Sequence, residues 1–500
     1  MSGNTYTPAK SAFSRVFLIE GQARPDHAPQ YESCLKAGAL DQAFGDIEKI
    51  ECPDPDAYGR FVEIDSIQGA IERLTTSLTG RYAADLASDL LRLAKARCAA
   101  DVQVHFGQCA DPRSFNLFTK AVILEGVNIT NWGTEDLGAL SSDDNAKVDE
   151  TADISAAEVY EVLPLNIVER AKDIVVNPMV DVVICDNPGC GECDNESDGC
   201  KRIYAIAGST GGSPGTAPDL VYSLDKGVNW AADDIDSLAP GDSADAIACL
   251  GIYAVVISHG ADSISYKTKA SIDAGLIGGW TEVTTGVVAA GSPTDAWSVG
   301  TYMFVCGDGG YIYGTEDPTA GLTVLDAGAA TAQDLKAIHA ISDLFAVAVG
   351  AAGAVVWTKD RVTWALAGVP VAATLNCVWV KNEDEWFVGT AGGALYYTLD
   401  RGVTWHAITI PGGPYTTIWD IQFSTKSVGY LTGGVAGPAS KMLRTFDGGY
   451  SWVVLPEGVG SIPTVHQLDA IAACEYDPNF VVAVGLNEGG VDGVILVGQD

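Results

Sequence analysis

An eight-residue turn recurs through the second half of the 500-residue chain and constrains its fold more than any other feature. It reads Ser223-Leu224-Asp225-Lys226-Gly227-Val228-Asn229-Trp230, then Thr398-Leu399-Asp400-Arg401-Gly402-Val403-Thr404-Trp405, then Thr445-Phe446-Asp447-Gly448-Gly449-Tyr450-Ser451-Trp452. A shortened copy, Thr358-Lys359-Asp360-Arg361-Val362-Thr363-Trp364, lacks the glycine. The shared pattern is (Ser/Thr)-x-Asp-x-Gly-x-(Thr/Ser/Asn)-Trp, and each part has a physical job. The carboxylate of Asp225, Asp360, Asp400 or Asp447 accepts hydrogen bonds from N–H groups of its own turn. Gly227, Gly402 and Gly449 permit positive φ. Trp230, Trp364, Trp405 and Trp452 supply bulk to pack between sheets.

The pattern resembles the Asp-box, or BNR repeat, of sialidase-like β-propellers. Units phased on it carry four short strands each, clearest in Leu375–Val380, Glu385–Gly389, Ala394–Thr398 and Thr404–Ile410. The same order runs through Ala246–Val283, Ala296–Leu325, Leu335–Leu366, Thr417–Leu455 and Leu468–Val497. Units of roughly 40 to 45 residues match propeller blades. The last unit stops after its third strand, at Ile495-Leu496-Val497, and a ring leaves no sheet edge open. Asp173-Ile174-Val175-Val176 is therefore expected to supply the missing strand, with Val180–Ile184 opening the first blade. The fold class expected is mainly β: a seven-bladed β-propeller over residues 169–500, and over 1–168 a β-sandwich with one flanking helix.

The first part carries its own pattern. Arg60–Ile64, Ile71–Leu78 and Ala156–Leu163 read as strands, Val102, Val104 and Phe106 alternate as a half-buried strand, and Ala121–Trp132 forms a hairpin region. Tyr82–Ala96 reads as an amphipathic helix and Gly133–Ala152 as an acidic loop. This order, with Leu74–Arg81, Leu86–Leu93, Asp101–Gly107, Asp111–Lys120, Ala121–Asn131 and Leu137–Leu140, resembles the tail tube proteins of long-tailed bacteriophages. The likeness covers residues 10–165 and is one of pattern. It implies a virion structural protein, assembled in the host cytoplasm into stacked rings of itself around a channel through which DNA passes without specific binding. The propeller would then be external decoration or a domain that binds a host-surface glycan or protein. A plain scaffold propeller, similar to photosystem assembly factors that share the box, is the alternative, and a monomeric first domain is its counterpart.

The net charge of −36 suits that expectation, because such a surface repels nucleic-acid phosphates and anionic membranes. It also serves solubility alone. No apolar run reaches the length of a membrane span and Met1–Ala12 is polar, so no membrane insertion is expected.

Cys249, Cys306, Cys377 and Cys474 lie singly on apolar strands and read as small buried hydrophobes. Cys185, Cys190, Cys193 and Cys200 fall within sixteen residues of a Gly- and Asp-rich loop. A structural zinc, two disulfides and a reduced loop are all open there. No other cofactor is expected.

Catalysis is not expected. Sialidases resembling this propeller need three convergent arginines, whereas only Arg202, Arg361, Arg401 and Arg444 follow residue 200, two of them inside the turns. His259, His339, His406 and His466 come from different units with no metal-ligand spacing. Gly211-Gly212-Ser213-Pro214-Gly215 matches a nucleophile elbow, but Pro214 lacks the N–H an oxyanion hole requires. Tyr396, Tyr397, Tyr415, Trp419 and Tyr450 read mainly as inter-sheet packing, with sugar stacking as the alternative.

Overall fold

The computed structural model describes the strands between residues 14 and 163, and then residues 165–171, 177–185, 200–208, 219–238, 244–435, 439–455, 467–475, 477–486 and 492–499. Two compact units divide the chain, Met1–Pro164 and Leu165–Asp500.

In the first unit, Ser14–Glu20, Gln30–Glu32, Lys36–Ala37, Thr75–Arg81, Ala100–Gly107, Phe118–Thr134, Asp149–Ser155 and Glu158–Val162 form one eight-stranded antiparallel arrangement. Its organising element is the 17-residue strand Phe118–Thr134. Residues before Asn128 pair with Ala100–Gly107 on one side and Glu158–Val162 on the other, and residues from Asn128 onward pair with Asp149–Ser155. Ala121, Ile123, Leu124, Glu125 and Val127 are all buried, so this stretch is covered on both faces rather than one. One expectation is corrected: Gly133–Ala152 is not all loop, because Asp149–Ser155 bridges Thr75–Arg81 and the long strand. The expected helix Tyr82–Ala96 lies outside the described residues.

The second unit is a seven-bladed propeller of four-stranded antiparallel sheets. Blade 1 is Met179–Ile184, Ile203–Ala207, Leu220–Ser223 and Ala231–Asp233, and blades 2 to 6 follow as consecutive quartets opening at Ala246, Pro293, Leu335, Leu375 and Tyr415. Blade 7 takes Gln467–Ala473, Val481–Leu486 and Gly493–Gln499 from the C-terminal end and its fourth strand, Asn166–Arg170, from the start of the unit. That strand closes the ring in the place expected for Asp173–Val176, which lies outside the described residues. The second strand of each blade is covered on both faces, and in most blades it reads as an apolar run, as in Tyr302-Met303-Phe304-Val305-Cys306, while blade 6 fits Thr432 and three glycines there. Helix is scarce among the described residues: Lys269–Asp273 is the one α-helical stretch, between the third and fourth strands of blade 2.

Candidate functional site

The innermost strands converge on the axis, and six of the seven carry a bulge, for example between Met179 and Asp181 or between Ile418 and Asp420. A bulge re-aims the residue that follows it. In blades 1, 3 and 6 that residue is an aspartate, and each carboxylate spans two blades. Asp181 accepts from its neighbour Val182 N–H at 2.8 Å and from Ile247 N–H of blade 2 at 2.8 Å. Asp295 accepts from Ala296 at 2.8 Å and Ile338 of blade 4 at 2.9 Å. Asp420 accepts from Ile421 at 2.7 Å and Ile471 of blade 7 at 3.0 Å. The innermost strand of a blade has no fifth strand to pair with, so its inward N–H groups need such acceptors.

Between blades 5 and 6 Asn376 does the bridging, donating from Nδ2 to the Ile418 carbonyl at 3.0 Å. Between blades 4 and 5, His339 Nδ1 accepts the Val380 N–H at 3.3 Å. Its ring is sandwiched by Trp297 and Trp379, with centroids 4.3 and 4.1 Å away. Burial there pushes the imidazole down to about 3, so it is neutral.

The three aspartates, Asn376, Trp297 and Trp379 wall an axial cavity of about 270 Å³ whose lining, among the described residues, sets Asp181, Asp245, Asp295, Asp420, Asp469 and Glu475 against one cation, Lys336. The three bridging carboxylates face the cavity and are half-buried in its wall. Burial, with mutual repulsion, holds Asp181 well above the usual carboxylate range. Burial also lifts Asp295 to about 7 and Asp420 to about 6, against the pull of their N–H donors. Among the described residues no group of three or more His, Cys, Asp or Glu is arranged to hold a metal ion. The cavity can therefore offer negative charge and indole surface, while its aspartates already serve the backbone.

The recurring turns use their residues as the pattern demands. In the turn of blade 5, Asp400 Oδ1 accepts from Thr404 N–H and Thr398 Oγ1, both at 2.8 Å, and Oδ2 accepts from Thr404 Oγ1 at 2.6 Å. Gly402, at φ +74°, donates to Thr398 Oγ1 at 2.9 Å. The residue after the aspartate also takes positive φ, as Lys226, Arg361 and Arg401 all do, which the pattern did not announce. Trp230 and Trp452 donate from Nε1 to the carbonyls of Gly227 and Gly449. In Asp225 and Asp400 burial opposes ionisation, but the turn's own donors win and hold both carboxyls below the ordinary value. In Asp360 those N–H donors are the main influence and act in the same direction. Asp447 is fully enclosed, and burial outweighs the same bonds and raises it. The turns lie between third and fourth strands, away from the axis, and line no part of the cavity.

The cysteine expectation is corrected. Cys185 is bonded to Cys249 of blade 2 and Cys200 to Cys474 of blade 7, with Cα separations of 5.7 and 5.9 Å. The four loop cysteines therefore do not form one zinc site or a pair of local disulfides, because two of them bond to blade cysteines that read as lone hydrophobes. Cys190 and Cys193 lie outside the described residues, while Cys306 and Cys377 are buried free thiols.

The four arginines after residue 200 do not converge. Arg202 pairs with Asp273 at 2.6 Å, and Arg361 with Glu316 at 3.4 Å. Arg401 pairs with Glu383 and Asp384, each at 2.7 Å. Arg444 is buried and donates to the Pro478 carbonyl at 2.5 Å. His259 contacts Asp308 at 2.8 Å, and His406 packs on Tyr397. Tyr450 donates to Glu385 at 2.8 Å and packs edge-on against Tyr397, and Tyr415 donates to the Pro411 carbonyl. Gly211–Gly215 and His466 lie outside the described residues.

Sequence reasoning missed the axial aspartates. Their signal is present once blades are aligned on the bulge: Val180-Asp181-Val182, Thr294-Asp295-Ala296 and Trp419-Asp420-Ile421 superpose.

No protein family and no curated protein matches the sequence. Solved structures similar in fold include YCF48 bound to D1 peptide, at 14% identity over 68% of this chain and 96% of that one, with a TM-score of 0.49. YCF48 from Cyanidioschyzon merolae is similar at 13% identity over 67% of this chain and 99% of that one, also with a TM-score of 0.49. The WD40 β-propeller domain of Doa1 is similar at 10% identity over 67% and 97%, with a TM-score of 0.47.

Proposed function

We propose that this chain works by assembly and binding rather than by catalysis, as a virion structural protein. In this reading the first unit self-associates into the rings of a phage tail tube, and an Asp-box propeller stands outside as decoration or as a host-surface-binding disc. The observation that carries the reading is the contrast between the two units. Among the described residues the blades form a ring that Asn166–Arg170 closes, whereas the strands of the first unit run as a path whose end strands, Gln30–Glu32 and Lys36–Ala37, each pair on one side. An open sheet is completed by cover or by another copy, and cyclic closure is the ordered form of the latter. The scattered, individually paired arginines support a disc without sialidase chemistry. The net charge of −36 suits a tube wall that DNA passes without sticking.

Negative-stain microscopy with light scattering on the full chain tests this. Rings or tubes fringed by discs are expected. Isolated monomeric discs would sink the tube and favour the scaffold reading, which draws on the propeller being a compact unit in its own right. Turnover of a sialoside by the pure protein would overturn both.

A further inference from the structure

The two disulfides of blade 1 differ in how they can be reached. Cys200 and Cys474 are each 1% exposed and sit inside the apolar cluster that joins blades 1 and 7, with Val182, Phe480 and Val497. Cys185 is 2% exposed, but its partner Cys249 is only partly buried, and both residues line the axial cavity. Cys200 also borders the cavity, but at 1% exposure it offers an attacking thiolate almost no surface, so that bond stays closed.

We propose that Cys249 is a thiol–disulfide exchange site opening on the axial cavity, and that it takes small thiols carrying a positive charge, of the aminothiol class. The exchange is balanced without any oxidant. The thiolate of the incoming molecule attacks Sγ of Cys249, a new S–S bond forms there, and the Cys185–Cys249 bond breaks. Its electron pair leaves on Sγ of Cys185, which takes up a proton, because its surroundings of Tyr204, Ile206 and Leu220 do not favour a thiolate. A second thiolate attacking the mixed disulfide on the reagent's sulfur releases Cys249 and carries the reagent away as its own disulfide.

The selectivity comes from the wall. Among the described residues six carboxyl groups line the cavity with one lysine, and that lysine lies 3.6 Å from Asp308. At pH 8, where the exchange is run, Asp295 and Asp420, lifted by burial to about 7 and about 6, are ionised. A cavity lined by one sign of charge concentrates ligands of the other sign and excludes its own. An ammonium-bearing thiol is drawn in, and a sulfonate-bearing thiol is kept out. Trp297, Trp379 and Trp419 add ring faces that favour a cation over a neutral group. Opening this bond removes the covalent link between blades 1 and 2, which stay joined by the Asp181–Ile247 bridge and their shared apolar cluster, and leaves the clasp between blades 1 and 7 intact.

The test uses the full chain with its free thiols first blocked by N-ethylmaleimide under native conditions. It is then exposed to cysteamine or mercaptoethanesulfonate, and sites are read by peptide mass. Each rate is divided by that reagent's rate on a small reference disulfide. The adduct is expected on Cys249 with a new thiol at Cys185, and Cys200–Cys474 should stay closed until the protein unfolds. Cysteamine should lead on the order of tenfold or more at low salt. The lead should collapse near 1 M salt, where screening acts within about 3 Å. Equal opening of both disulfides, or opening of Cys185–Cys249 only on unfolding, would overturn the site. Equal normalised rates for the two thiols would overturn the selectivity.

Discussion

The axial aspartates make a pH dependence that runs against the usual acid lability of proteins. A carboxyl whose folded pKa is raised stabilises the fold when protonated. That contribution is complete below the unfolded value and is lost as pH rises through the folded one. Asp295, lifted from 3.8 to about 7, and Asp420, lifted to about 6, both lose it between pH 5 and 8. Linkage over that interval gives a loss of about 2–3 kcal/mol from Asp295 and about 1–2 kcal/mol from Asp420. Asp181 acts in the same direction. His339 opposes them. Its pKa is depressed from 6.5 to about 3, so its contribution is present above the unfolded value and lost as pH falls. Over the same interval that restores about 2 kcal/mol, less than the aspartates remove. Asp225 and Asp400, held low by their turns, affect stability only in more acid solution.

Urea unfolding followed by tryptophan fluorescence isolates the propeller, because Trp132 alone of the eleven tryptophans precedes residue 165. The midpoint should be higher at pH 5 than at pH 8. Asp295→Asn keeps one carbonyl oxygen, enough to accept from Ala296 or Ile338 but not both, and cannot ionise, so it should cost stability at every pH yet flatten the fall by about 2–3 kcal/mol. His339→Gln should steepen it. A wild-type midpoint that rises steadily from pH 5 to 8, or an Asp295→Asn slope identical to wild type, would refute the reasoning.

Three further outcomes are expected. Asp400→Ala strands the Thr404 N–H and should cost about 1–3 kcal/mol, while Gly402→Ala should cost more than about 1 kcal/mol, since φ is +74° and a Cβ would lie 2.8 Å from that of Ala367; calorimetric melting checks both. A chain beginning at Leu165 should melt at a higher temperature than one beginning at Ala171, which lacks the strand paired with Gly493–Gln499, and equal melting would remove the closing role of Asn166–Arg170. Cys474→Ser releases a closure of 274 residues and should lose up to about 5–6 kcal/mol under oxidising conditions, against about 4 kcal/mol for Cys249→Ser with a closure of 64, read from denaturant midpoints that should coincide with the wild type once reduced.

The blades were legible because their information is local. Each turn carries its own Asp, Gly and Trp, and most middle strands are apolar runs set off by glycine. The closing strand was not legible. Asn166-Ile167-Val168-Glu169-Arg170 and Asp173-Ile174-Val175-Val176 are both short β-branched runs, and what separates them is a pairing partner more than 320 residues away. The disulfides misled for the same reason. Close spacing in sequence drew Cys185 and Cys200 to each other, whereas ring geometry puts their partners at the ends of neighbouring inner strands. Aligned at the bulge, Cys185 and Cys474 occupy the same level, and the Asp181 bridge to Ile247 puts Cys249 on the level next to it, a coincidence visible only after the blades are superposed.

The same alignment explains why three axial aspartates serve and seven would not. Each two-armed carboxylate satisfies its own strand and the next, so three charges provide acceptors on six inner strands, at Val182, Ile247, Ala296, Ile338, Ile421 and Ile471. One acid per blade would be seven in place of three, more acceptors than the six bonds need and far more repulsion, in a cavity where Asp181 already feels both Asp295 and Asp420. Blade 5 shows the limit. Its equivalent residue is Cys377, whose thiol is pushed up by burial and then by the charge of Asp420. The bridges on either side of that blade are neutral, an amide from Asn376 and an uncharged imidazole from His339. Cys377→Asp would place a further charge within reach of Asp420, and the ring should answer with a lower stability at pH 8 that largely recovers at pH 5. A loss of equal size at both pH values would mean that the site refuses the side chain's shape rather than its charge.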